Sequence, residues 1–404
     1  MAEREDFDNG WDFISDLEVK AVREFSESLE TQNITSAVQR IQTYFRDLDE
    51  VLLNIAVTGE SGSGKSSFVN ALRGLGDEEE DSAPTGVVET TTEPTAYPHP
   101  KYPNVILWDL PGVGTQNFKA DTYLEQVEFD RYDFFIIIAS ERFRSSNVDL
   151  ATQIQKMKKK FYFVRSKIDV DVQAEKRRKS FDQKLVLDRI RQDCIQGLVK
   201  NGVDHPAVFL ISSYELGNYD INALQDTMEK ELPDHKRDML LLALPNVTMK
   251  IHQKKREALG ARVWKMALLS AGIAAVPIPG LSICTDVAIL VTEIKEYYQA
   301  FGLDEESLEN LSNQMEVPVE EFRACLKSPL NKEISADVVV KMLTKAAGAG
   351  MMVAGHVFNM LPLLGSLPAG ALSFASTKLM LESCLKELAA DAQSVLMRAL
   401  QTEV

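Results

Sequence analysis

At 404 residues the chain exceeds what one ordinary hydrophobic core holds, so two domains are expected. A hydrophobic content of 45% against 26% charged residues is globular rather than disordered. The formal net charge of -16 argues against a nucleic-acid binder, which needs a basic face, and the four scattered cysteines and five dispersed histidines argue against a structural zinc.

The first residues, Met1-Ala2-Glu3-Arg4-Glu5-Asp6, are polar and acidic, unlike a signal peptide, and Ala2 in place of Gly is unlike a myristoylation site. With no prenylation box at Leu400–Val404 and no CxxC pair, a cytoplasmic, reducing location is expected. Residues 12–50 read as two helices. The second carries Ile34, Val38, Ile41, Phe45 and Leu48 on one apolar face.

Leu52 to Thr58 is an apolar, β-branched run with the pattern of a buried strand. It leads into Gly59-Glu60-Ser61-Gly62-Ser63-Gly64-Lys65-Ser66, which fits G-x-x-x-x-G-K-[ST] at every fixed position. Phe68, Val69 and Leu72 then recur at helical spacing, and Gly74 stands where a helix stops. A polyphosphate carries dense negative charge that must be met at close range. Gly59, Gly62 and Gly64 let successive backbone N–H groups point into one hollow, and the helix start adds its positive dipole end. Lys65 is expected to reach the β- and γ-phosphates and the Ser66 hydroxyl to hold Mg²⁺, with Glu60, Ser61, Ser63 and Ser67 completing the cradle.

Residues 76–86 read as a polar, acidic, flexible loop with a solvated surface. Three threonines follow, Thr90, Thr91 and Thr92; a switch that senses the γ-phosphate needs one such hydroxyl on Mg²⁺, and the spacing does not rank them. Asn104 to Trp108 is the next strand, ending in Asp109-Leu110-Pro111-Gly112. That D-x-x-G places a carboxylate at the Mg²⁺ shell and the Gly112 N–H at the γ-phosphate. Residues 134–139 and 161–165 are further buried strands. The second opens onto Ser166-Lys167-Ile168-Asp169, which resembles the N/T-K-x-D guanine reader. Asp169 is expected to accept two N–H bonds from guanine and to select against adenine, and the Lys167 stem to cover the base. Ser166 in place of the commoner Asn is expected to loosen this loop. The last strand, Val208 to Ile211, opens onto Ser212-Ser213, where a backbone N–H meets the guanine carbonyl. Strands alternate with helices from Leu52 to about Leu232, which predicts a doubly wound α/β domain. Val113 stands where many small GTPases carry a water-orienting Gln, and Ser61 adds bulk beside the γ-phosphate. Slow hydrolysis in isolation is the consequence, with acceleration by a group from elsewhere.

Beyond Pro233 only helices are expected. Met266 to Thr285 carries no charge and follows Lys254-Lys255-Arg256; a second apolar run lies between Lys345 and Lys378. Both are long enough to span a bilayer, yet Pro277, Pro279, Pro362 and Pro368 shorten each apolar helix to roughly 10 residues. Buried core, reversible or peripheral membrane contact, and constitutive spanning remain open, the last disfavoured. Asp304 to Leu326 reads as two short helices joined near Val317-Pro318, and Lys156 to Lys160 as a solvated helix end.

Over nearly its full length the chain resembles the immunity-related (interferon-inducible p47) GTPases, in the branch with lysine in G-x-x-x-x-G-K-S. The residues that carry the resemblance are Gly59 to Phe68 with Asn70-Ala71-Leu72-Arg73-Gly74, Thr85-Gly86-Val87-Val88-Glu89, Trp108-Asp109-Leu110-Pro111-Gly112, Tyr132-Asp133-Phe134-Phe135 and Lys160 to Arg165. The paired Pro-Gly apolar runs look like the branch named cinema, for which defence is a weaker expectation. The resemblance implies a dynamin-like GTPase using GTP/GDP and Mg²⁺, with an all-α domain built from both chain ends: residues 1–50 and 234–404 around a GTP-binding domain at 51–233. It implies GTP-dependent homodimers or oligomers through the G domain, contacts with other family members, and reversible association with intracellular membranes in cell-autonomous innate immunity. Thr91 would be the Mg²⁺-sensing threonine, and Glu89 the switch glutamate that assists hydrolysis across the dimer. Thr85 and Thr91 would be exposed switch threonines of the kind that pathogen kinases target. The rival expectation is a GTP-binding scaffold with little turnover and no direct defence role.

Overall fold

A computed structural model describes residues 39, 41–43, 45–46, 50–86, 91, 93–113, 120–140, 145–275, 283–360 and 368–401. Glu89, Thr90 and Thr92, most of the N-terminal hairpin, and the expected corners at Pro277–Gly280 and Pro362–Gly365 lie outside these residues. The chain divides into two compact units: residues 50–251 with 309–316, and residues 1–49, 252–308 and 317–404. Residues 234–251, expected with the helical domain, cluster with the sheet.

The first unit holds a six-stranded sheet. Its strands are β1 (Leu53–Gly59), β2 (Thr95–Pro98), β3 (Val105–Asp109), β4 (Phe134–Ala139), β5 (Lys160–Arg165) and β6 (Val208–Leu210), in the order β2-β3-β1-β4-β5-β6. All neighbours pair in parallel except the β2–β3 edge pair. β4 is buried at every position, because helices cover both of its faces and alternate side chains point to each. On one face Ala56, Phe135, Ile137 and Phe163 pack against α2 (Ala120–Gln126), α3 (Ser145–Lys156) and α5 (Gln183–Lys200). On the other, α1 (Lys65–Arg73) and α7 (Asp234–Ala243) contact β1 and β3. α4 (Ile168–Glu175) and α6 (Ile221–Glu231) complete the layers. Strand order reverses beside β1, so the crevice at the carboxyl ends of β1 and β4 is where a doubly wound sheet binds its ligand.

The second unit is helical: the larger part of α8 (Met249–Ala275), then α9 (Ile283–Ala300), α11 (Val319–Arg323), α12 (Ala336–Met360) and α13 (Pro368–Leu400). The intervening α10 (Glu305–Met315) is divided between the units, and with α11 it forms the two short helices expected on either side of Val317-Pro318. Pro368 opens α13 at a first-turn position, where its missing N–H has no partner to lose. Arg262 makes a two-pronged ion pair with the buried Glu293 at 3.0 and 2.7 Å, and the pair outweighs burial in holding the guanidinium charged. Asp391 accepts the N–H groups of Lys327 and Ser328 and the Asn331 amide, fixing that loop on α13. Lys255 is buried and donates at 2.6 Å to the carbonyl of Ala300, the last residue of α9. Within Lys254-Lys255-Arg256 the middle residue therefore faces the interior, while Arg256 is exposed. Among the described residues no helix is long and apolar enough to cross a membrane.

Candidate nucleotide site

β1 ends in a turn that only glycine permits. A Cβ on Gly59 would lie 2.0 Å from the Ile138 carbonyl oxygen of β4, and Gly62 and Gly64 hold φ angles of 75° and 91°. α1 then starts at Lys65, so the Lys65, Ser66 and Ser67 backbone opens a helix toward the crevice. The Lys65 side chain is only 7% exposed and its Nζ donates to the Glu60 carbonyl at 3.1 Å. Glu60 itself is tied to α3 through Ser146 Oγ, which donates to its Oε1 at 2.7 Å.

Asp109 sits at the end of β3, fully buried. Its Oδ2 accepts from Ser66 Oγ at 2.6 Å and from Thr91 Oγ1 at 3.0 Å, while Oδ1 is buried with no hydrogen-bond partner among the described residues. Burial pushes its carboxyl above the usual carboxylate range, against the Ser66 bond, the Lys65 charge and the Thr91 bond. Of the three threonines that the spacing left unranked, Thr91 bonds Asp109, while Thr90 and Thr92 are outside the described residues.

The base side is built by the ends of β5 and β6. Lys167 takes a left-handed conformation as the N-cap of α4, with Asp169 in the first turn. Its Nζ donates to the Gly62 carbonyl at 2.9 Å. Ser166 does not loosen this loop. Its buried hydroxyl reaches the Ser63 carbonyl at 2.7 Å and the Ala139 carbonyl at 3.3 Å, stapling the base-side loop to the phosphate loop and β4. Arg165 pairs with Asp171 at 2.6 Å and donates to the Ser166 carbonyl, which braces the same turn. Ser212 is fully buried and its Oγ accepts the Glu215 N–H, so its side chain shapes the turn. The end of β6 is held by Asp220, which accepts the Leu210 N–H at 2.7 Å and pairs with Arg191.

These pieces enclose a cleft of about 460 Å³ lined from the phosphate loop, Thr91, and the Ser166–Val170 and Ser213–Tyr214 loops. Among the expected site residues, Ser61, Gly62, Gly64, Lys65, Ser66, Ser67, Thr91, Lys167, Asp169 and Ser213 line it directly. Gly59, Glu60, Ser63, Asp109, Gly112 and Ser212 lie in the turns that support it, and Glu89 is not described. Sequence reasoning missed four wall residues as parts of the nucleotide site, Thr85, Gly86, Val170 and Tyr214, the last two more than half exposed. Val170 and Tyr214 directly adjoin residues that were identified, Asp169 and Ser213, and that adjacency is the signal that could have found them. It also missed Asp77, which accepts from Ser67 Oγ, Asn70 Nδ2 and the Tyr214 hydroxyl. The acidic loop is consequently ordered where flexibility was expected: Glu79 caps the Gly76 N–H and accepts from Asn310, and Arg73 holds the Asp81 carbonyl. Lys159 also departs from a solvated helix end, since it donates to the carbonyls of Asp130 and Tyr132.

Comparison with known families gives a match to Interferon-inducible GTPase (IIGP) over residues 18–399. The chain belongs to the interferon-inducible GTPase family. As a member it is a GTP-binding protein and a GTPase. Interferon-inducible GTPase 5 of Bos taurus is 42% identical over 388 residues, covering 96% of this chain and 83% of that protein. Interferon-gamma-inducible GTPase 10 of Mus musculus is 43% identical over 337 residues, 81% of this chain and 80% of that one. Among solved structures, a dimerization-deficient mutant of Toc33 from Arabidopsis thaliana covers 43% of this chain and 78% of its own at 13% identity, with a TM-score of 0.34.

Proposed function

We propose that this interferon-inducible GTPase binds GTP with Mg²⁺ in the cleft between the Gly59–Ser67 turn and the Ser166–Asp169 loop. Its turnover is slow when the protein is dilute and rises on self-assembly through the sheet-bearing unit. It acts reversibly at intracellular membranes in cell-autonomous innate immunity, alone or with other family members.

The observation that carries the nucleotide reading is Asp109. A fully buried carboxylate with one oxygen orphaned and the other shared by two hydroxyls is costly by itself and fits a hard cation that takes oxygen donors. Among the described residues no cluster of three or more His, Cys, Asp or Glu forms a metal cage. Mg²⁺ does not ask for one: it keeps water and substrate phosphates beside one or two protein ligands. Ser66, Thr91 and Asp109 are the residues that would hold it, and when bound it neutralises charge building on the β- and γ-phosphates. Lys65, released from the Glu60 carbonyl, meets phosphate oxygens with a charge-assisted bond. Asp169 takes the guanine edge, beside Val170 and Tyr214.

Val113 supports slow isolated turnover. It is 2% exposed, donates its N–H to the Gly59 carbonyl and packs into the sheet core, so it orients no water. The same observation favours a second reading, a GTP-bound scaffold. Glu89, by family resemblance, is the residue that separates the two. GTPase activity per molecule is expected to rise with protein concentration, and Glu89→Ala to lose on the order of 10²-fold of the assembled rate. Flat, near-zero turnover in both, with GTP bound, would leave the scaffold.

A further inference from the structure

The Asp109–Val113 turn is held by β1 on both sides: Leu110 N–H donates to the Val57 carbonyl at 3.0 Å and Val113 N–H to the Gly59 carbonyl at 2.9 Å. Pro111 has no N–H, so Gly112 carries the donor of this turn that is not committed to the sheet. The orientation of that donor depends on one peptide plane. In a planar trans peptide the Pro111 carbonyl and the Gly112 N–H point in opposite directions. The carbonyl is not free to choose. Tyr123 on α2 donates its hydroxyl proton to it at 2.9 Å, and Thr58 Oγ1 lies 2.9 Å from the same phenol oxygen. The phenol has one proton and a carbonyl only accepts, so Thr58 is the donor of the second bond. Thr58 is fully buried, and Tyr123 is 7% exposed within the core formed by Leu110, Val113, Leu124 and Phe135. Burial keeps the phenol protonated by pushing its pKa up. The carbonyl therefore faces the core, and the Gly112 N–H faces away from it.

We propose that Tyr123 is a positioning residue for recognition of the terminal phosphate: by pinning the Pro111 carbonyl it presets the Gly112 N–H toward a nucleoside triphosphate, and so raises the affinity of the site for GTP relative to GDP. The proposal rests on the nucleotide reading above and adds a regulator to it. Tyr123 touches no nucleotide atom in this role; it acts through one peptide. Because it sits on α2, a displacement of α2 releases the peptide and lowers affinity for the triphosphate without altering the phosphate loop or the base pocket.

The test is the ratio of two affinities on the full chain with Mg²⁺: a non-hydrolysable GTP analogue and GDP, each titrated by calorimetry. Tyr123→Phe keeps the ring in the core and removes only the hydroxyl. It is expected to weaken the GTP analogue about five-fold, the loss of one neutral hydrogen bond, while GDP changes less than about two-fold. Thr58→Val removes the support of the phenol and is expected to move the ratio the same way by less; it carries the test if Tyr123→Phe fails to fold. Tyr132→Phe is the matched control. Tyr132 is also buried and its hydroxyl donates to a carbonyl at 2.9 Å, but that carbonyl belongs to Val127, away from the turn, so the ratio should hold. Equal weakening of both nucleotides, or an unchanged ratio with GDP still bound, would overturn the role of Tyr123 alone. Failure of the unaltered chain to bind GDP would overturn the nucleotide site and this proposal together.

Discussion

Lys65→Ala is expected to reduce GTP affinity by at least about 100-fold while leaving the fold in place. Each charge-assisted bond to a phosphate oxygen is worth about 1.5–3 kcal/mol, and a lysine bridging two phosphates makes two. The side chain is held within 3.1 Å of the Glu60 carbonyl at the base of the cleft, so its charge is already brought to the site before nucleotide arrives. Little of that binding energy goes to ordering a free lysine. Its loss leaves the Glu60 carbonyl at the base of a cleft that water can enter, so the melting temperature should stay within about 4 °C of the parent's. Calorimetric titration with GTP beside a thermal melt checks both statements. GTP binding that survives within about three-fold would remove the phosphate loop from the account.

Asp109→Asn carries the second large effect, and its two readouts move in opposite directions. Turnover should fall on the order of 10³-fold, because the group that fixes the Ser66 and Thr91 hydroxyls, and offers its free oxygen to the cation, loses its charge. The nucleotide-free protein should become more heat-resistant. A fully buried carboxylate with an orphaned oxygen destabilises the fold, and a neutral amide of the same shape removes most of that cost. Gains of this kind at functional sites are the mark of a residue kept for chemistry. Measuring GTP turnover and the melting temperature without nucleotide on the same preparation tests the pair. A variant that is both less stable and fully active would show Asp109 to be structural.

The sheet and the phosphate turn were legible in the sequence because local physics fixes them. Phe134 to Ala139 is a short, unbroken apolar run rich in isoleucine and phenylalanine, which suits a strand covered on both faces. Gly59 cannot carry a side chain at 2.0 Å from a neighbouring carbonyl, so its type declares the contact. Thr91 was beyond reach in that sense: three adjacent threonines are equivalent by spacing, and only the fold shows that Thr91 bonds Asp109, eighteen positions away. Ser166 was misread for the same reason. A serine in place of asparagine looks like a loss, but its hydroxyl meets the Ser63 carbonyl, over a hundred positions earlier in the chain. The acidic residues 77–81 have the composition of a solvated loop, yet Asn70, Arg73 and Asn310 order them through bonds that composition does not encode. Lys255 shows the converse, since a basic triplet suggests a surface while its middle member caps a helix from inside the fold. Val170 and Tyr214 become walls only when β5 and β6 pair and bring their loops to one cleft.

Guanine selection tests the central claim most directly, because it requires the phosphate turn and the Lys167–Asp169 loop to act on one ligand. Binding of GTP, GDP and ATP should be titrated on the unaltered chain and on Asp169→Ala. The account predicts that ATP binds the unaltered chain at least about 100-fold more weakly than GTP, since adenine leaves the Asp169 carboxylate unpaired, and that Asp169→Ala erases most of the difference. Equal affinity for ATP and GTP, or full guanine preference in Asp169→Ala, would contradict it.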